Sequence, residues 1–197
     1  MTKIIISTLL FFSISLNLFA EDQYKEAENF IMQFSNEAIN ILSNDKLDVD
    51  DKSNLFTDLV MSSIDLNLIS KFVLSNSWKS ATDDQKERYI SAFKKYFVNS
   101  YSNKLNQYSG EKVQVVGSSE AGKYIIVDSK VVQEGTDSLQ INISWRVLNK
   151  DNEFKIIDLN IEGISLVIAQ REEFQSFLLN NGMNLDLLID ELEKINN

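Results

Sequence analysis

The hydrophobic residues of this chain change their spacing at Gly110, and that change restricts the fold more than any other feature of the sequence. Before it, apolar residues recur at helical intervals, most clearly over Tyr24 to Leu42 and over 83–108. After it, apolar residues alternate with polar ones, which is typical of strands with one buried face. Helices followed by strands, rather than alternating with them, predict an α+β fold.

The helix over 83–108 has a recognisable start and stop. Thr82 and Gln85 have the spacing of a capping box, and Ser109 with Gly110 predicts the helix end. The apolar stripe of this helix is strongly aromatic. Such a stripe is typical of core packing, and it would also suit the wall of a ligand cavity.

Shorter helices are expected on both sides of this one. The acidic stretch 45–52 predicts a solvated loop, and Asp65 is a suitable N-cap for a helix that follows it. Asn184 is a similar cap near the end of the chain. The helices expected are at about 53–61, 66–74, 170–179 and 185–195.

About four strands fit the alternating part of the chain, and the short turns between them predict an antiparallel sheet. In the third strand one face is apolar and the other polar, so the apolar face is expected to be buried. We also expect the last strand to break at Gly163 and to resume as far as Ile168. The strands lie at about 112–116, 123–132, 139–148 and 154–161.

Residues 1–20 have the features of a secretory signal peptide, with Lys3 before an apolar run and Ala20 at a plausible cleavage site. The run is too short and too rich in serine to favour a membrane anchor. We therefore expect export to a bacterial periplasm and a single domain over 21–197. Because the chain has no cysteine, packing alone must hold that domain together.

The composition argues against several classes of function. The chain has 19 basic and 29 acidic side chains, a net charge of −10, which disfavours nucleic acid as a partner. It has no histidine and no cysteine, so thiol catalysis and ordinary zinc sites are excluded. We expect no catalytic residue, no metal and no cofactor.

Asp158 and Glu162 are the one carboxylate pair that suggests catalysis. Four positions apart on a strand, they would lie about 13 Å from each other, which is too far for a glycosidase pair. Without histidine, no base is present to activate Ser165. We therefore expect Asp158 to cap a turn or to pair with a basic residue.

Several motifs, in order, resemble those of the MlaC family, also called the toluene-tolerance auxiliary family. The segment "DLNIEGISL" at 158–166 is similar to the family pattern D-x-x-x-E-G-[VI]-S-L, and "REEF" at 171–174 is similar to its R-x-x-F helix start. Upstream, "WRV" at 145–147 with "FKIID" at 154–158 resembles the family's paired strands. The segment "LSNSWKSATDDQKERYISAFKKYF" at 74–97 resembles its W-x-x-A-[ST] helix. The resemblance extends from about Tyr24 to Leu192.

The resemblance implies a deep apolar cavity between a twisted sheet and helices. It implies a periplasmic carrier that shuttles glycerophospholipids between the outer and inner membranes and so maintains outer-membrane lipid asymmetry. The implied partners are an inner-membrane ABC complex with an MCE-domain subunit and an outer-membrane lipoprotein–porin complex. Arg171 and Lys155 are candidates for contacts with them. The residues expected to line the lipid site are Tyr101, Leu105, Ile141, Ile143, Trp145, Ile161, Ile164 and Leu166.

Two other classes of function are consistent with the sequence. One is an enzyme on a cone-shaped helix–sheet fold acting on a small apolar substrate, for which Asp128 and Asp158 are the available polar groups. The other is a periplasmic interaction protein that binds no lipid.

Overall fold

The computed structural model describes residues 12–102, 110–133, 140–150 and 153–195; side chains are described from residue 22 onward, with those of 101 and 102 left out. Helices precede a five-stranded sheet, and two more helices follow it. The elements are α1 (Phe12–Leu42), α2 (Val49–Ser63), α3 (Leu66–Leu74), α4 (Asn76–Ser80), α5 (Asp83–Ser102), β1 (Glu111–Ala121), β2 (Tyr124–Gln133), β3 (Gln140–Lys150), β4 (Glu153–Ile161), β5 (Ile164–Ser165), α6 (Leu166–Asn180) and α7 (Leu185–Ile195).

The sheet is a meander in which every strand is antiparallel to the next one in the chain, in the order β1-β2-β3-β4-β5. The expected α+β fold with an antiparallel sheet is thus confirmed, and the strand expected to resume after Gly163 is present as the short β5. Register shifts occur at Val115/Gly117 and at Arg146/Val147. The second shift inserts Ile157, so that Ile156 and Leu159 both lie on the same face of the sheet.

The predicted helix caps at Thr82 and Asp65 are present. Thr82 and Gln85 exchange the two bonds of a capping box, at 3.1 and 3.2 Å, and Asp65 accepts from the N–H of Leu68 at 2.9 Å. The prediction of a loop at 45–52 is wrong for the second half of that stretch. There α2 begins at Val49, because Asp48 accepts from a backbone N–H of the first turn and the acidic residues suit its positive end.

The aromatic stripe of α5 packs in the core, where Tyr89 and Phe93 have no exposed surface. The Tyr89 phenol donates to the Ser70 carbonyl at 3.0 Å, and burial raises the pKa of that phenol. At the N-terminal end of α5, Arg88 pairs with Asp186 of α7 at 3.1 Å. The core therefore lies between α5, its helical neighbours and one face of the sheet.

The chain after Gly163 differs from the expected continued strand. Only Ile164 and Ser165 pair with β4, and α6 starts at Leu166, four residues before the predicted start. Among the described residues, no helix is long and apolar enough to cross a membrane.

Candidate functional site

One face of the sheet, which we call the inner face, carries most of its apolar side chains. The register places Ile143 opposite both Ser129 and Ile161, and Trp145 opposite Val127 and Leu159. Arg146 and Ser144 lie on the other face, as the alternation of the third strand predicted. The inner face comprises Val113, Val115, Ser118, Glu120, Ile125, Val127, Ser129, Val131, Ile141, Ile143, Trp145, Val147, Asn149, Phe154, Ile156, Leu159 and Ile161.

Burial changes along the inner face. At the end near the β3–β4 turn, Val147 and Ile156 are fully buried, and the neighbouring Val127 is also fully buried. Toward the opposite end, Ile143 is only half-buried and packs against the edge of the core. Ile141, one step further, is also half-buried and lies outside the core cluster. Among the described residues, the inner face is therefore closed at one end and incompletely covered at the other.

Trp145 lies where the closed part of the inner face begins. Its ring contacts Phe34 of α1 edge to face, with centroids 5.7 Å apart and planes at 73°. Its indole N–H donates to the Ser129 hydroxyl at 2.8 Å, and that hydroxyl is 3.3 Å from the Ile143 carbonyl oxygen, to which it donates. The indole is thus only 5% exposed. It is held by the Phe34 ring on its apolar side and by the Ser129 hydroxyl at its N–H.

A small apolar space lies between α5, β4 and α6. Phe93 and Phe97 line it from α5, Leu159 from the sheet and Leu166 from α6. Its volume is about 20 Å³, roughly the room that one water molecule occupies. The deep cavity expected from the family resemblance is not seen among the described residues.

Asp158 is part of a helix cap. Its carboxylate accepts from the Ser165 hydroxyl at 2.7 Å and from the Val167 N–H at 3.2 Å. The Ser165 hydroxyl oxygen in turn accepts from the N–H of Ile168 at 3.1 Å. The two side chains together satisfy backbone donors at the start of α6, as the structural interpretation of Asp158 predicted. Each oxygen of Asp158 thus accepts one hydrogen bond from the start of α6.

Glu162 and Gly163 form the tight turn between β4 and β5. Their φ angles are +50° and +88°, so both are in the left-handed region that two-residue hairpins require. Glycine adopts such angles easily, whereas glutamate does so at a cost. The Glu162 carboxylate accepts from the backbone N–H and the side-chain amide of Asn142, which holds the turn against β3. Glu162 therefore holds the β4–β5 turn, whereas Asp158 caps α6.

The predicted lipid-site residues lie in different environments. Ile141, Ile143 and Ile161 are half-buried on the inner face, whereas Trp145 is buried there. Leu166 lines the small apolar space, and Ile164 is 63% exposed beside the turn. The Tyr101 side chain and all of Leu105 lie outside the described residues. The structure thus places four of the eight on one face, and their contact with lipid stays a prediction.

Sequence reasoning did not find the partner of Trp145. Ser129 is 2% exposed on β2, in an otherwise apolar row, and only the pairing of β2 with β3 brings it to the indole. A serine in a row of apolar residues on β2 indicates a buried hydroxyl that needs a partner. Which residue is that partner depends on the register between β2 and β3, which the sequence does not give.

A groove crosses the other face of the sheet and continues between α3 and α6. It consists of two adjoining spaces of about 570 and 120 Å³ that share Arg146, Asp158 and Ile168. Phe72 of α3 is 45% exposed beside it, and the Arg171 guanidinium lies 5.0 Å from that ring. Within the described part of the chain, neither arginine has a carboxylate within ion-pair distance. The groove therefore combines apolar surface with two arginines that lie over the rings of Tyr124 and Phe72, and with the carboxylates of Asp158 and Glu172.

Among the residues that the structure describes, no three acidic, histidine or cysteine side chains are grouped so as to hold a metal ion. Asp128, the other polar group considered for an enzyme, is exposed on the far side of the sheet and accepts from the Ser144 hydroxyl. Asp128 and the inner face are therefore on opposite sides of the sheet.

Two curated proteins are similar to this chain over part of their length. The "Intermembrane phospholipid transport system binding protein MlaC" of Haemophilus influenzae is 25% identical over 134 residues, which make up 66% of this chain and 62% of that protein. The "Toluene tolerance protein ttg2D" of Pseudomonas putida is 26% identical over 129 residues, 64% of this chain and 59% of that protein. The chain thus aligns with about three fifths of the length of each relative.

A solved structure has the same fold. It is a phospholipid-binding protein from Ralstonia solanacearum in complex with a phospholipid, with a TM-score of 0.74 and 18% identity. The match covers 86% of this chain and 96% of that one. The family model described as "MlaC protein" matches residues 32–194. Because that match spans most of the chain, the chain belongs to the MlaC family.

Proposed function

We propose that this chain is a periplasmic phospholipid carrier, cleaved near Ala20, that shuttles glycerophospholipids between the outer and inner membranes and so maintains outer-membrane lipid asymmetry. Membership of the MlaC family supports the proposal, as do the names of the two relatives and the phospholipid in the Ralstonia structure. The structural observation that best supports the proposal is the half-covered apolar end of the inner face, at Ile141, Ile143 and Ile161.

The energy of moving a lipid through water explains why such a surface is needed. Two acyl chains hold about 30 methylenes, and each contributes about 0.8 kcal/mol when it is kept from water. A free phospholipid would therefore face a cost on the order of 20 kcal/mol. A protein that covers the tails removes this barrier without any catalytic group, which is consistent with the structural roles of Asp158 and Glu162.

We expect the purified protein to carry phospholipid with little headgroup selectivity, because the expected contacts are with tails. Solvent extraction and mass spectrometry of protein from a bacterial host measure the bound lipid directly. If the extract contains no phospholipid and the protein also takes up none from liposomes, the proposed carrier function is wrong. An interaction protein that binds no lipid then becomes the better interpretation. A small apolar molecule in place of phospholipid would favour the enzyme.

Release of the cargo requires a place of delivery, because a bilayer is no more apolar than the protein interior and transfer is close to thermoneutral. The net charge of −10 disfavours unaided contact with anionic leaflets. We therefore propose that delivery takes place on partner proteins: an inner-membrane ABC complex with an MCE-domain subunit and an outer-membrane lipoprotein–porin complex. The groove beside Phe72 and Arg171 suits such contacts, because an exposed apolar patch next to charged side chains is typical of an interface.

Arg171→Glu is expected to weaken binding to the MCE-domain subunit several-fold while leaving bound lipid unchanged. Arg171 rests on the Phe72 ring and has no ion pair among the described residues, so reversal removes an available charge without breaking a salt bridge. The other candidate, Lys155, already contacts the Ser62 carbonyl at 2.7 Å and Glu153 at 3.3 Å.

Pull-down with purified subunit, together with lipid quantification, tests this expectation. Lys194→Glu is the control for the charge change, since it makes the same change on α7; the exposed pair with Glu191 that it breaks contributes little to stability. Equal binding by Arg171→Glu and wild type would remove Arg171 from the interface. Loss of lipid would instead indicate a structural role.

A further inference from the structure

The boundary on the inner face coincides with its largest side chain. On the closed side, Val147 and its neighbour Ile156 are fully buried, and on the half-covered side lie Ile143 and Ile141. Trp145 stands between the two groups on β3. From Ile141 to Trp145 the strand advances about 14 Å, at roughly 3.4 Å per residue.

We propose that Trp145, together with Phe34 and Ser129, forms an end wall that limits the length of the acyl chains this protein carries. This proposal rests on the proposed carrier function and specifies which phospholipids the protein prefers. An acyl chain entering over Ile141 and Ile143 would meet the edge of the indole. Beyond that edge the inner face is already filled by core side chains.

The wall is rigid because the indole is held at two points. Rotation away from an incoming chain would separate the ring from Phe34 and break the bond from its N–H to Ser129. A buried N–H without a partner is unfavourable, so the ring is expected to stay in place. The Ser129 hydroxyl is itself bonded to the Ile143 carbonyl, which ties the wall to the sheet.

Chain length should then affect binding in steps. Each methylene that the wall keeps in water lowers relative occupancy about fourfold, which corresponds to about 0.8 kcal/mol. Trp145→Ala opens the wall, and we expect it to raise the ratio of long to short chains about tenfold. Ile143→Phe adds volume in front of the wall at a half-buried position, and we expect the opposite shift.

The test uses the full chain incubated with vesicles of an equimolar series of saturated phosphatidylcholines, from lauroyl to arachidoyl. Bound lipid is extracted and quantified by mass spectrometry, as total amount and as chain-length distribution. Trp78→Ala is the matched control, because this second tryptophan is on α4, where Lys71 and Lys86 lie over its ring, away from the inner face. Phe34→Ala opens the wall from the α1 side if Trp145→Ala does not fold.

Opposite shifts in the wall-opening and Ile143→Phe variants, with Trp78→Ala like wild type, are the expected result. Unchanged distributions in both directions would overturn the end wall while leaving the carrier function in place. Absence of any lipid from the wild-type protein would instead overturn the carrier function. Total bound lipid and chain length therefore separate the two failures.

Discussion

Phe93→Ala is expected to lower the free energy of unfolding by about 3–5 kcal/mol, the range for a fully buried phenylalanine. Phe93 has no exposed surface, and its ring lies 5.8 Å from that of Tyr89, 6.1 Å from that of Phe97 and 6.2 Å from that of Phe174. Truncation would leave a void among the three remaining rings, which lie on α5 and α6 and cannot all move inward. Urea denaturation followed by circular dichroism measures the change.

Phe72→Ala is the matched control for Phe93→Ala. Phe72 is exposed beside the groove, so its loss is expected to cost less than about 1 kcal/mol. The comparison also separates the two interpretations of the aromatic stripe. If Phe93 were the wall of an open ligand cavity rather than core, its truncation would cost little more than that of Phe72 and would mainly reduce bound lipid.

Asp158→Ala is expected to lower the free energy of unfolding by about 3 kcal/mol, because it leaves the buried Val167 N–H and the Ser165 hydroxyl without their acceptor. Asp158→Asn keeps one oxygen in place and is expected to cost about 1 kcal/mol. Thermal and urea unfolding of both variants measure the difference.

Asp128→Ala serves as the control for Asp158, since it removes an exposed carboxylate bonded to Ser144 on the other face of the sheet. We expect it to change the free energy of unfolding by less than about 1 kcal/mol. Asp158→Asn should also bind lipid as wild type does. A stable Asp158→Ala variant would contradict the capping role.

Local signals predicted the fold where a residue and its partner are close in sequence. The capping box at Thr82 and Gln85 and the period of β3 needed only neighbouring residues, and both are confirmed. The start of α6 was missed because position 168 is Ile, so Ser165 lacks the acidic or amide partner of a capping box. The other acceptor for the first N–H groups of α6 is Asp158, which lies on β4 seven residues before Ser165. Asp158 reaches the helix only once the β4–β5 turn has formed.

The sequence predicted which residues of the candidate site share one face of the sheet, but not how far each of them is buried. Alternation predicted that Ile141, Ile143 and Trp145 point the same way, and the register confirms it. Their unequal burial depends on α1, whose Phe34 lies more than a hundred positions from Trp145. The groove likewise joins α3, α6 and the sheet. No periodicity within one element can place such surfaces, because they arise where elements meet.

The meander order of the sheet has a consequence for how the protein folds. Each strand pairs with its neighbour in the chain. The contacts that hold the helices against the sheet and against each other join distant positions, such as Glu28 with Ser118, 90 residues apart, and Gln85 with Asp186, 101 apart. Hairpins form within microseconds, but long loops close late because of their entropy. The apolar inner face is therefore assembled before its cover arrives, and it is the surface most open to aggregation while the chain folds.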